Sequence, residues 1–122
     1  MATTVLLVED EVLISESVCD ALTDEGFEVQ VAGTADIALE YIKSGQDIDI
    51  LFTDINLPGD IDGSELANHA RALRPDLPIV YASGRFSNSD LGALVPRSIF
   101  VNKPYNMSEI CTLLRRLAPT RH

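Results

Sequence analysis

Basic residues are scarce in this chain: nine Lys and Arg stand against nineteen Asp and Glu, for a formal net charge of -10. A surface of that sign repels phosphate backbones and anionic lipid, which argues against direct nucleic-acid binding and favours cations and basic protein surfaces as partners. Long hydrophobic runs are missing as well. The N-terminal stretch "MATTVLLVEDE" offers four apolar residues before three acids, with no basic segment ahead of them. It reads as neither a signal peptide nor a membrane span, and the expected location is the cytoplasm. Cysteine is limited to Cys19 and Cys111, far apart and with no second Cys or His at ligand spacing. Both read as reduced small hydrophobes rather than a disulfide or a metal site. Linkers, repeats and low-complexity segments are absent, and 122 residues leave no room for a second domain. One domain over 1–122, with no separate output domain, is the expectation; at this length it buries roughly 65% of its unfolded surface.

Five short apolar runs are present: "VLLV" at 5–8, "EVQVA" at 28–32, "IDILFT" at 48–53, "IVYA" at 79–82 and "IFVN" at 99–102. Helical patterns fill the gaps. Residues 12–24 place Ile14, Val18, Ala21 and Leu22 on one stripe and stop at Gly26, a usual C-terminal cap residue. Residues 35–43 follow Thr34 as N-cap and end at Ser44-Gly45. Residues 64–74 follow Gly63 and stop at Pro75, and 106–117 open with Asn106 and Glu109 in a capping-box spacing. A short, Gly-interrupted candidate lies near 88–94. Strands alternating with helices predict a (βα)5 parallel sheet covered on both faces. Ligands of such sheets bind outside the carboxyl ends of the strands.

That edge collects the polar residues. Glu9 and Asp10 follow the first strand, Asp54 the third, Ser83 the fourth and Lys103 the fifth. Three carboxylates at one place repel and raise one another's pKa unless a cation sits among them, and hard oxygen ligands with one or two direct carboxylates suit Mg2+. Lys103 adds a compact charge able to pair with Asp54 or with a phosphoryl group attached to it, and Ser83 adds a hydroxyl donor. A carboxylate nucleophile, a divalent metal, a lysine and a hydroxyl are the parts of phosphoryl transfer to aspartate. Asp60 and Asp62 read as loop and N-cap residues, and His69 as part of a solvated helix face.

The pieces "LLVEDE", "FTDINLPG", "PIVYASG" and "VNKPY", in that order and spacing, resemble the bacterial response-regulator receiver domain over residues 4–118. The resemblance implies a flavodoxin-like strand order 2-1-3-4-5 and a cis Lys103-Pro104 bond. It also implies that Asp54 accepts a phosphoryl group from a histidine kinase or phosphotransfer protein. Asp10 and Asp54 would then bind Mg2+ directly, Glu9 through water, and the Asn56 backbone carbonyl would complete the protein ligands. Signal would leave through Ser83 and Phe100 to the surface of the 88–94 helix, the fifth strand and the last helix, where a separate effector docks. Three features depart from the common pattern. The loop "GDID" at 59–62 is one residue longer, Ser83 stands for the more frequent threonine, and Phe100 stands where many receivers have tyrosine, so that an aromatic switch must be steric. The Ala82-Ser83-Gly84 run resembles single-domain receivers served by kinases of the HWE type. Two other readings compete. A haloacid-dehalogenase-type phosphatase wants a second aspartate two residues after the nucleophile, where this chain has Asn56. A degenerate receiver that only binds a partner fits poorly with intact Asp10, Asp54, Ser83 and Lys103.

Overall fold

Where a buried backbone cannot hydrogen-bond to water it must pair with itself, and the five apolar runs do so as one parallel sheet. The computed structural model describes residues 2–84 and 95–119. The strands are β1 (Thr4–Val8), β2 (Glu28–Ala32), β3 (Ile50–Asp54), β4 (Ile79–Ser83) and β5 (Ser98–Asn102), in the order β2-β1-β3-β4-β5. The predicted (βα)5 flavodoxin-like order is therefore the observed one. Helices α1 (Val12–Asp24), α2 (Ala35–Lys43) and α3 (Gly63–Leu73) make the first three crossovers, and α4 (Met107–Leu117) follows β5 and packs back on the sheet. The 88–94 helix candidate, Arg85 and Phe86 lie outside the described residues.

Strand alternation divides the core in two. Leu6, Val8, Leu51, Ile79 and Tyr81 face α2 and α3, where Ala35, Ala38, Ile42, Leu66, Ala67 and Ala70 cover them. Val5, Leu7, Ile50, Phe52, Val80 and Ala82 face the other way, against Val18 and Leu22 of α1 and Ile110, Cys111 and Leu114 of α4. Every residue of β4 is buried, whereas β2, at one edge, is exposed along much of its length. This is the near-continuous apolar pattern of strands covered on both sides.

Helix ends follow the side chains available to hold them. Thr34 accepts the Ile37 N–H at 3.1 Å, and Asn106 accepts those of Ser108 at 2.8 Å and Glu109 at 3.3 Å. Asp62 and Glu65 form a reciprocal capping box. Gly26, just past α1, has φ +92°, a left-handed conformation that glycine adopts without strain. Boundaries move slightly from the sequence reading: α3 runs from Gly63 to Leu73 rather than over 64–74, and Asp54 and Ser83 are the last residues of their strands rather than the first beyond them. Cys19 is half-buried, Cys111 buried, and both are free. His69 is exposed.

Candidate functional site

The carboxyl edge of the sheet is built by extending its hydrogen-bond ladder a little past the strands. The Glu9 N–H donates to Ala32 O and the Ile55 N–H to Ala82 O, both at 3.1 Å, and the Lys103 N–H donates to Ser83 O at 3.1 Å. The backbones of Glu9 and Lys103, and of Asp54 with its neighbour Ile55, are thereby tied into the sheet, although the three side chains are charged. Helix α3 presses on the same place. A Cβ on Gly63 would fall 1.9 Å from Asp54 O and 2.8 Å from Ile55 Cα, and the Gly63 N–H donates to Ile55 O at 2.9 Å. Only glycine permits this approach. The loop 55–62 is thus closed at both ends, by β3 and by the capping box.

Lys103 Nζ sits between two carboxylates, 3.0 Å from Glu9 Oε1 and 2.9 Å from Asp54 Oδ2. The side chains of Glu9 and Asp54 are only 4% and 11% exposed. Burial alone would pull the Lys103 ammonium down, but its hydrogen bonds and charge contacts with Asp54 and Glu9 reverse this and hold it above its ordinary range. Burial raises the Glu9 carboxyl, and the Lys103 contacts offset only part of that effect. Tyr105 packs its ring 5.7 Å from Phe52, and burial raises its phenol too. The Lys103-Pro104 peptide is cis, as the family resemblance implies.

Glu9, Asp10 and Asp54 each place a carboxylate oxygen so that all three lie within 4.8 Å of one another. The chemistry of this donor set suits a divalent cation. Three carboxylates and one ammonium leave two negative charges, and among the described residues Glu9 Oε2 is buried with no hydrogen-bond partner. A hard cation ligated by oxygen answers both.

Of the remaining site candidates, Asn56 and Ser83 come together directly. The Asn56 N–H donates to Asp54 Oδ1 at 3.2 Å, and its side-chain amide donates to Ser83 Oγ at 2.8 Å. Phe100 is not in the carboxylate cluster. It is half-buried opposite Tyr81 in the β4–β5 register, packed against the α2–α3 side of the core. Sequence reasoning missed the Glu9–Lys103 pair, the Asn56–Ser83 bond and the role of Gly63. Only Gly63 left a trace, as a poor helix former set directly after an N-cap. Asp60 is an exposed loop residue and Asp62 is the N-cap of α3, as read. Among the described residues no helix is long and apolar enough to cross a membrane.

A doubly wound parallel sheet with a cluster of acids and a lysine at its carboxyl edge places the chain in the flavodoxin-like class that binds ligands where strand order reverses. The response regulator receiver domain matches residues 5–115, and the chain belongs to that family. It is 37% identical over 120 residues to the transcriptional regulatory protein CreB of Escherichia coli (strain K12), covering 93% of this chain and 52% of that protein. It is 33% identical over 123 residues to the nitrogen assimilation regulatory protein NtrX of Azorhizobium caulinodans, covering 98% of this chain and 27% of that one. The chain thus spans about half or less of these curated relatives. A crystal structure of a response regulator receiver protein from Sinorhizobium medicae WSM419 superposes with a TM-score of 0.89 at 36% identity, covering 95% of this chain and 94% of the other.

Proposed function

We propose that this receiver domain is a cytoplasmic phosphorelay switch in which Asp54 accepts a phosphoryl group from a histidine kinase or phosphotransfer protein, and that it signals through protein-protein contacts. The observation that carries the reading is the Asp54 carboxylate, fixed at the end of a buried strand with one oxygen on Lys103 and two further acids beside it. A carboxylate oxygen of Asp54 forms the new O–P bond as the P–N bond of a phosphohistidine breaks, its electron pair passing to the imidazole nitrogen. Lys103 holds the nucleophile in place and then balances the charge of the phosphoryl oxygens. Asp10, Asp54 and the Asn56 carbonyl would hold Mg2+, with Glu9 acting through water, and the ion supplies charge neutralisation when bound. Ser83 offers a hydroxyl to the phosphoryl group, and Phe100 follows it as a steric element toward the β5 and α4 surface.

Incubation with radiolabelled acetyl phosphate and Mg2+ tests this. The chain should take label, Asp54→Asn should take none, and small phosphate esters should not be turned over. Label that persists in Asp54→Asn at the parent rate removes the assignment, and steady ester turnover favours a phosphatase.

A further inference from the structure

Asn56 stands outside the ladder, two residues past the acceptor, and its two halves do different things. The backbone N–H turns back to Asp54 Oδ1 at 3.2 Å, while the side-chain amide crosses to Ser83 Oγ at 2.8 Å. Asn56 is an exposed residue and Ser83 is 1% exposed, so the carboxamide of a surface residue reaches in to the oxygen of a buried hydroxyl on the neighbouring strand. Ordering such a side chain loses rotamer freedom, which the bond must offset. The direction of the bond matters. An amide N–H donated into a lone pair of Ser83 Oγ fixes where that oxygen sits.

We propose that Asn56 is a positioning residue whose carboxamide holds the Ser83 hydroxyl in its resting place, so that this bond sets the balance between the unphosphorylated and phosphorylated arrangements of the domain. The proposal rests on the phosphorylation of Asp54. A phosphoryl group on Asp54 presents charged oxygens, and a hydroxyl bond to them is roughly twice as strong as the neutral bond from Asn56. Because the Asn56 backbone is tied to Asp54, its amide cannot follow Ser83 freely. The resting bond is therefore exchanged as the phosphoryl bond forms.

Two nuclear magnetic resonance measurements on the full chain test this. In the unmodified protein, Ser83→Ala should shift the Asn56 side-chain amide signals and speed their exchange with solvent, and signals that stay put overturn the proposal. In Asn56→Ala, which keeps the backbone carbonyl, the Phe100 and Ser83 signals should move along the line joining the parent's unmodified positions to those reached with acetyl phosphate and Mg2+. The expected displacement is about fivefold in the equilibrium between the two arrangements, the effect of one neutral hydrogen bond. If the parent is labelled on Asp54 and Asn56→Ala rests where the parent rests, Asn56 is not a positioning residue. A parent that takes no label removes the phosphorylation reading and the proposal with it, while the first measurement, which needs no phosphodonor, still reports on the bond itself.

Discussion

At the amino edge of the sheet several charges are closed by backbone. Asp49 accepts the Thr4 N–H at 2.8 Å, and Arg74 donates to Ile42 O and Gln46 O at 3.1 and 2.6 Å, binding the carbonyls at the end of α2. Arg71 donates to Pro75 O and Leu77 O ahead of β4 and to Pro96 O and Arg97 O ahead of β5. Its Nε alone has no partner. At the carboxyl edge the charges face one another instead. Two largely buried carboxylates share one ammonium, a third stands beside them, and among the described residues nothing answers Glu9 Oε2. The amino edge directs its charge mostly to backbone carbonyls, whereas the carboxyl edge sets three carboxylates against one ammonium, an imbalance that suits an external cation.

The comparison can be broken most forcefully at Gly63. Gly63→Ala drives a Cβ into the Asp54 carbonyl and should cost on the order of 3 kcal/mol in urea unfolding, the upper part of the overpacking range, with Mg2+ affinity falling as the edge is displaced. An alanine variant of parent stability would mean that α3 does not press on β3. Arg71→Ala comes next. It should cost about 1–2 kcal/mol by uncovering carbonyls at the amino edge, yet leave Mg2+ affinity and acetyl phosphate labelling unchanged, and a loss of labelling without unfolding would show that the two edges are coupled.

The smallest effect is a slope. Burial raises the Glu9 carboxyl above its ordinary value of 4.5, so the folded chain keeps a proton that the unfolded chain has released. Without divalent cation, stability should therefore fall as pH rises from that ordinary value through the raised one, by at most about 1.4 kcal/mol per pH unit for one proton. Glu9→Gln should flatten this component in urea titrations across the range. Lys103 contributes with the same sign at higher pH: its raised value adds stability that is present below the ordinary lysine range and lost only above it. Identical slopes in parent and Glu9→Gln would mean that Glu9 is solvated as a free carboxylate.

Local signals were legible in the sequence. Thr34, Asp62 and Asn106 cap the helices they precede, Gly26 ends α1, and the five apolar runs are the five strands. Four motif fragments also placed Glu9, Asp10, Asp54, Ser83 and Lys103 at one edge, because a parallel sheet brings every strand end to the same side. What stayed hidden depends on side chains meeting across long separations. Lys103 pairs with Glu9 across 94 positions and Asn56 with Ser83 across 27. Nothing local in the sequence announces the carbonyls that Arg71 and Arg74 reach. Nor does the sequence announce that Tyr81 is fully buried with its hydroxyl accepting the Val95 N–H at 3.3 Å.

The two glycines flanking the acceptor differ in the slack they leave. At Gly63 a methyl group would overlap the β3 backbone, whereas at Gly84, among the described residues, it would meet nothing nearer than Lys103 Cβ at 3.7 Å. Close-packed matter deforms toward free volume, and on the α3 side there is none. Strand β3 and helix α3 therefore act as an anvil. Under the proposed function, a group added to Asp54 would find no room on the α3 side, and that closed face exists because Gly63 has no side chain.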